Sequence, residues 1–288
     1  MNIDHFFAAG HPHLVRGTPC EDYALSGVFA TDTVYGAVSD GCSGVFANTD
    51  VGARALCFAF QRALQPRFKE PVQAFGPAFF SALKTAFRDN HISGDRQDYF
   101  ATLVGFVANP RDAAVYLFGD GAYVLRYTDG RYKVVWLEWD GNAPFYLNYC
   151  LHDDLFREYV GEIQKDVDDP AHERYVVFRQ SSTGGFRILE TGSTRHEWDG
   201  IREGYVARFR PAAEGIDAIA VLTDGLFKIG QVPVPDAVHS LLSFEDVRGG
   251  FVKRRSTAVL DAFAQGGSRL RDDLGIACAW FGADEGRP

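Results

Sequence analysis

Aspartates recur in this chain at the ends of apolar runs. Ser39-Asp40-Gly41 follows Val34 to Val38, Thr223-Asp224-Gly225 follows Ile219 to Leu222, and Arg271-Asp272-Asp273 precedes Leu274 to Phe281. A fourth acidic motif is Cys20-Glu21-Asp22. Aspartate disfavours strands, and a carboxylate is costly to bury unpaired. Acids repeated at strand ends therefore call for positive charge among them, and a divalent metal cluster is the economical source. An oxygen-only donor set favours Mg²⁺ or Mn²⁺, whereas zinc more often recruits His or Cys. Two such ions roughly 3.5–4 Å apart, sharing a carboxylate, can hold a water between them and lower its pKa. The resulting hydroxide can attack phosphorus in line while cations offset charge on the phosphoryl oxygens. Asp40 suits the shared position because Gly41 lets a backbone carbonyl approach a metal as well. Asp224-Gly225 has the same local design.

The rest of the composition limits what such a site could serve. A formal charge of −9 argues against nucleic acid or an anionic membrane as the main partner. A phosphorylated substrate would also be repelled at long range, unless bound metal made the site itself cationic. With 288 residues, 46% hydrophobic and 23% charged, the chain reads as a soluble globular protein with a sizeable core. The 24 Phe are most simply core residues. The five cysteines are odd in number and widely spaced without a CxxC pair, which fits reduced intracellular thiols. Neither a basic-then-apolar leader nor an apolar run near ~18 residues occurs, so the expected location is cytoplasmic.

The elements that must position the acids follow from pattern. Strands are expected at Ala24–Phe29 and Thr33–Ser39, then a helix at Thr49–Leu64 capped by Asn48 or Thr49. A second helix is expected over Val72–Asp89, where Val72, Phe75, Phe79, Leu83 and Phe87 recur at helical spacing. Phe100–Ala108, Ala113–Phe118, Ala122–Tyr127 and Tyr132–Trp136 read as an antiparallel meander with turns at 109–112 and Thr128-Asp129-Gly130-Arg131. A strand ending at Thr223, a helical region over 236–263 and a strand at Leu274–Phe281 follow. Helices grouped between sets of antiparallel strands indicate an α+β domain. Residues 140–210 give no clear pattern. Asp166, Asp168 and Asp169 there lack the Gly and Glu register of a calcium loop and read as a solvated acidic loop. The His11-x-His13 pair reads as part of a surface N-terminal strand, and Cys42 as a small packing residue.

The order Glu21-Asp22, Asp40-Gly41, Gly119-Asp120-Gly121, Thr223-Asp224-Gly225 and Asp272-Asp273 resembles the metal-dependent serine/threonine protein phosphatases of the protein phosphatase 2C family. Residues 13–22 (HLVRGTPCED), 38–54 (VSDGCSGVFANTDVGAR) and Ala101-Thr102-Leu103 resemble its compact bacterial branch. The resemblance implies a four-layer α-β-β-α sandwich with two central antiparallel sheets, one domain over residues 1–288 with an insert or flap at about 140–210. By the same resemblance Asp40 bridges two Mn²⁺ or Mg²⁺ ions and Gly41 adds a carbonyl ligand. Asp224 and Asp272, rather than Asp273, hold the first ion. Glu21 and Asp22 serve the second, partly through water, and Asp120 helps form a third, weaker site. Arg16 would contact the substrate phosphate, although its spacing to Glu21 is one residue longer than in many relatives.

The implied substrate is phosphoserine or phosphothreonine in a protein, with a Ser/Thr kinase as cognate partner and a monomeric enzyme. Two departures stand out. The common Asp-Gly-His-Gly-Gly is here Asp40-Gly41-Cys42-Ser43-Gly44, and the usual Asn before Glu-Asp is Cys20. The absent histidine leaves His13 or a metal-bound water as the leaving-group acid. It also keeps open an alternative, a catalytically weak module that binds a phosphoprotein or regulatory partner.

Overall fold

A computed structural model of the chain describes all residues except 31, 43–48, 68–69, 71, 73–74, 92–95, 164–170, 197–203 and 283–288. The expected cap Asn48, the Ser43-Gly44 pair and the run of Asp166, Asp168 and Asp169 lie outside the described residues.

The apolar runs form two antiparallel sheets. The larger has the order β1 (Asn2–Ala8), β12 (Leu274–Trp280), β11 (Ile216–Leu222), β6 (Gly121–Tyr127), β7 (Arg131–Trp139), β8 (Ala171–Gln180) and β9 (Phe186–His196). The smaller has β10 (Tyr205–Phe209), β5 (Ala113–Phe118), β4 (Leu103–Ala108), β3 (Thr33–Asp40) and β2 (Asp22–Ala30). Strand periodicity explains how they stack. Val34 and Val38 of β3 face inward, where they join Val104, Tyr123, Ile219 and Ala277 in a core between the sheets. Tyr35 and Ala37, one residue out of phase, face the opposite way into a second core. That core is filled by the helices α2 (Thr49–Leu64) and α3 (Pro77–Asp89), through Leu56, Phe60, Phe79 and Leu83. The larger sheet is covered on its outer face in the same way by the C-terminal helices (Val234–Leu242 and Phe251–Gln265), through Val238, Leu241, Phe251 and Val252. The result is the expected α-β-β-α sandwich. Among the described residues no helix is long and apolar enough to cross a membrane.

Several expected boundaries shift, each for a local reason. The segment carrying His11 and His13 is not a strand. It is the short helix α1 (His11–Arg16), which Pro12 starts and Gly17, at φ 69°, closes. The N-terminal strand is β1, upstream of it. The helix expected from Val72 begins at Pro77, while Val72 and Phe75 remain buried in the same core. The expected meander is divided between the sheets. β5 lies in the smaller and β6 in the larger, so Gly119-Asp120-Gly121 is the crossing point. Residues 140–210 supply β8, β9 and β10 and a short helix at Asp153–Glu158. β9 is an edge strand with Ile188 and Leu189 exposed, so it carries little apolar alternation for a sequence reading to detect.

Candidate metal and catalytic site

Both sheets end in acids at the same edge. In the smaller sheet, antiparallel register sets Asp22 directly opposite Asp40. Thr102 clamps this end. Its hydroxyl accepts the Asp40 N–H at 3.1 Å, and its own N–H donates to the Asp40 carbonyl at 2.9 Å. The Gly41 N–H donates to the Glu21 carbonyl at 3.2 Å, which ties the loop bearing Glu21 to the end of β3. In the larger sheet, the Thr223 N–H donates to the Gly275 carbonyl at 3.1 Å, so Asp224 leaves β11 beside the start of β12. The Thr223 hydroxyl then joins the two sheets. It accepts the Gly275 N–H at 2.8 Å and donates to Asp22 Oδ2 at 2.6 Å.

Glycines let these backbones approach. A Cβ on Gly225 would lie 1.8 Å from the Asp273 carbonyl oxygen, so the Asp-Gly after β11 could not carry another residue without moving β12. Gly119 and Gly121 have φ of 82° and 121°, which L side chains rarely adopt. Asp120 between them is held where the chain crosses from one sheet to the other.

Asp273 has a different environment from its neighbour Asp272. It is buried, and its Oδ1 accepts the Gly10 N–H at 2.6 Å and lies 2.8 Å from His13 Nδ1. Its Oδ2 accepts the Glu21 N–H. One carboxylate therefore docks α1 and the Glu21 loop onto the larger sheet. His13 Nε2 is left 3.9 Å from Glu21 Oε2. Asp272 instead turns outward. Its Oδ2 is 2.7 Å from Lys228 Nζ, which is also 2.7 Å from Asp224 Oδ2.

The electrostatics follow from gathering acids in a confined place. Burial pushes Asp22 up to about 8, with the charges of Asp273 and Asp224 adding to it and hydrogen bonds to Thr223 and Asp40 opposing it. Burial likewise pushes Asp120 up to about 7, reinforced by Asp224 and Asp272. Asp40 is raised well above the carboxylate range by burial and then by Asp22, Asp224 and Asp120. Asp22, Asp40, Asp120 and Asp224 are each raised by a neighbouring acid, so with Asp272 they form one electrostatic unit, which Lys228 offsets only in part. Among the described residues no three ligating side chains already close into a coordination shell. Asp22 is turned to Thr223 and Asp40, and Asp224 and Asp272 to Lys228. The donor chemistry nonetheless fits a hard divalent ion. It is all oxygen, and an ammonium already sits between two of the acids as a stand-in cation.

The expected site residues Glu21, Asp22, Asp40, Gly41, Asp120, Asp224 and Asp272 thus come together at one edge. Arg16 does not. It is exposed in the last turn of α1, and no described hydrogen bond or ion pair links it to these acids. Thr223 and Asp273, expected only as flanks of the ligands, orient Asp22 and the Glu21 loop, while Lys228 and Tyr146 are contributors that pattern alone did not single out. The buried Tyr146 hydroxyl lies near Cys42, Asp120 and Asp40; burial first, then those groups, raise its pKa well above the usual phenol value. Tyr146 comes from the segment without a recognisable motif. Lys228 could have been found as the cation four places after Asp224.

Comparison with known proteins bears on the family and the fold. The sequence pattern of the family described as protein phosphatase 2C matches residues 9–261. The chain matches no curated protein sequence. Its fold is similar to a bacterial serine phosphatase, with TM-score 0.53 and 11% identity over 99% of both chains. It is similar to serine/threonine phosphatase Stp1 of Staphylococcus aureus, with TM-score 0.53 and 13% identity over 98% of this chain and 96% of that one. A C. elegans sex-determining protein shares the fold with TM-score 0.55 and 10% identity, over 98% of this chain and 65% of that one.

Proposed function

The chain belongs to the protein phosphatase 2C family, and on that footing we propose that it hydrolyses phosphoserine and phosphothreonine in proteins at the acid-lined edge of its two sheets. The observation that carries this reading is the convergence of Asp22, Asp40, Asp120, Asp224 and Asp272, from both sheets, on one another. A cluster so short of positive charge has a ready explanation in divalent cations.

Asp40, Asp224, Asp272, Glu21 and Asp22 would hold two Mn²⁺ or Mg²⁺ ions, and the Gly41 carbonyl would add a further ligand. Asp120 would contribute to a third, weaker position. When bound, such ions supply the charge that lowers the pKa of an attacking water and offsets the phosphoryl oxygens. The remaining work falls to the chain. Thr223 fixes the orientation of Asp22 by its 2.6 Å hydrogen bond. Asp273 holds His13 through Nδ1, which points Nε2 towards Glu21 and the site. On this reading His13 Nε2 would give a proton to the departing serine or threonine oxygen. Tyr146, Phe100 and Tyr149 pack against one another with tilted rings and would form an aromatic wall beside the acids. The phosphorylated protein and a cognate Ser/Thr kinase are the partners this activity requires.

One observation favours a second reading, a catalytically weak module that binds phosphoproteins: Lys228 already occupies two of the proposed ligands. Turnover of p-nitrophenyl phosphate and of a phosphothreonine peptide with Mn²⁺ separates the two. The phosphatase reading expects activity that EDTA abolishes and that Asp40→Asn and Asp224→Asn lack. Activity that survived chelation and both substitutions would defeat the two-metal site. No turnover with any divalent ion would favour the binding module.

A further inference from the structure

Lys228 enters the acid cluster by way of the main chain. Asp224–Lys228 form a tight 3₁₀ turn that brings residue 228 back beside residue 224. The Lys228 carbonyl then accepts the Arg271 N–H at 2.9 Å, and Ile229 pairs with Leu270. These bonds join the segment carrying Lys228 to the segment carrying Asp272, so the ammonium is delivered between Asp224 and Asp272. Its two contacts are equal, 2.7 Å to each Oδ2. Among the described residues no other lysine or arginine is ion-paired with Asp22, Asp40, Asp120, Asp224 or Asp272. Two charge-assisted hydrogen bonds in one place hold a cation strongly where water is limited. The side chain is still 44% exposed, so four flexible carbons can carry the ammonium out to solvent.

We propose that Lys228 is a tethered cation that competes with a divalent metal ion for the Asp224–Asp272 carboxylate pair. The inference rests on the reading of those two acids as metal ligands. In the metal-free protein the ammonium offsets part of the repulsion among the acids. Metal can load this position only as Lys228 swings away. The position therefore binds metal more weakly than its carboxylates alone would allow, and Lys228 is a positioning residue that sets the metal concentration at which the site fills.

The test is direct Mn²⁺ binding, read from loss of the free-ion electron paramagnetic resonance signal, on the full chain and its Lys228→Gln, Lys228→Met and Lys228→Arg variants. Melting temperatures in EDTA and in saturating Mn²⁺ accompany it. Both neutral variants are expected to bind one Mn²⁺ on the order of tenfold more tightly, about 1.4 kcal/mol, while Lys228→Arg stays near the wild type. In EDTA the neutral variants should melt below the wild type, and saturating Mn²⁺ should remove that difference. Wild-type affinity in Lys228→Gln and Lys228→Met, with the wild type binding Mn²⁺ normally, overturns the role of Lys228 and leaves the metal site standing. If neither the wild type nor the variants bind Mn²⁺, the metal site itself falls and the inference with it.

Discussion

Asp129 in the turn between β6 and β7, and Asp22, Asp40, Asp120 and Asp224 at the sheet ends, are one residue type in two media. Asp129 is 45% exposed, accepts the Arg131 N–H at 3.1 Å and Arg131 Nε at 2.7 Å, and pairs with Arg179 at 3.2 Å. Its slight burial would raise its pKa, but the two arginines outweigh this and lower it. The site acids meet one another instead of arginines, and burial leads a shift in the opposite direction. The turn is an ordinary solvated ion pair that costs the fold nothing. The sheet edge is a place where the fold tolerates repulsion, which is the usual sign of a functional site.

Substitutions can break or sharpen that contrast. The largest effect is expected at Asp40. Asp40→Asn should lower phosphatase turnover by on the order of 10³-fold, as losing a group that stabilises transition-state charge does. The same variant in EDTA should melt above the wild type, since it removes one of the mutually repelling acids. Unchanged turnover would place the chemistry elsewhere.

Asp273 tests the line between acids that could bind metal and the acid that holds the site together. Asp273→Ala strands the Gly10 and Glu21 N–H groups and His13, and should cost about 3 kcal/mol in urea denaturation. A loss below about 1 kcal/mol would show that the N-terminal segment is docked by something else.

A pH series distinguishes the two sets of carboxylates without mutation. In the metal-free protein, Asp22 and Asp120 keep their protons to about 8 and about 7, from an ordinary value of 3.8. The unfolded chain loses these protons from about pH 4 upward, while the folded chain retains them. Their contribution to stability is therefore fully present below pH 4, declines up to about pH 7–8 and is flat beyond. Melting temperatures in EDTA should accordingly fall between pH 5 and pH 8, and Asp22→Asn should flatten the decline. A rise over that range would contradict the raised values.

The smallest effect belongs to the control. Asp129→Asn should change stability by less than about 0.5 kcal/mol and leave turnover intact, because exposed ion pairs are screened by solvent. A larger loss would mean that the β6–β7 turn matters to the sheet edge more than its exposure suggests.

Much of the site was legible because its signals are local. Asp40 and Asp224 each carry a preceding apolar run and a following glycine, and the Gly225 contact with Asp273 shows why that glycine is required. The strands and α2 were legible for the same reason, since periodicity is a property of neighbouring residues. Other features lacked any local mark. The segment holding His11 and His13 is too short for periodicity to separate helix from strand, and only Pro12 and Gly17 decide it. β9 pairs along one edge and keeps few apolar positions, so residues 140–210 looked formless although they complete the larger sheet. Arg16 matched by motif order, yet α1 leaves it exposed and unconnected to the acids.

The sequence by itself determined that apolar strands end in acids and that those acids need a cation. Strand propensity, the cost of burying carboxylate and the Asp-Gly turn all act within a few residues. Which acid meets which was decided only by tertiary structure. Antiparallel register set Asp22 against Asp40, the crossing at Gly119-Asp120-Gly121 brought Asp120 to the junction of the sheets, and Thr223 joined β11 to Asp22. The same packing gave Asp273 three donors and Asp272 a lysine, although the two are adjacent in the chain. Both residues precede β12 rather than lie within it, so their surroundings are set by whatever the rest of the chain packs against each of them.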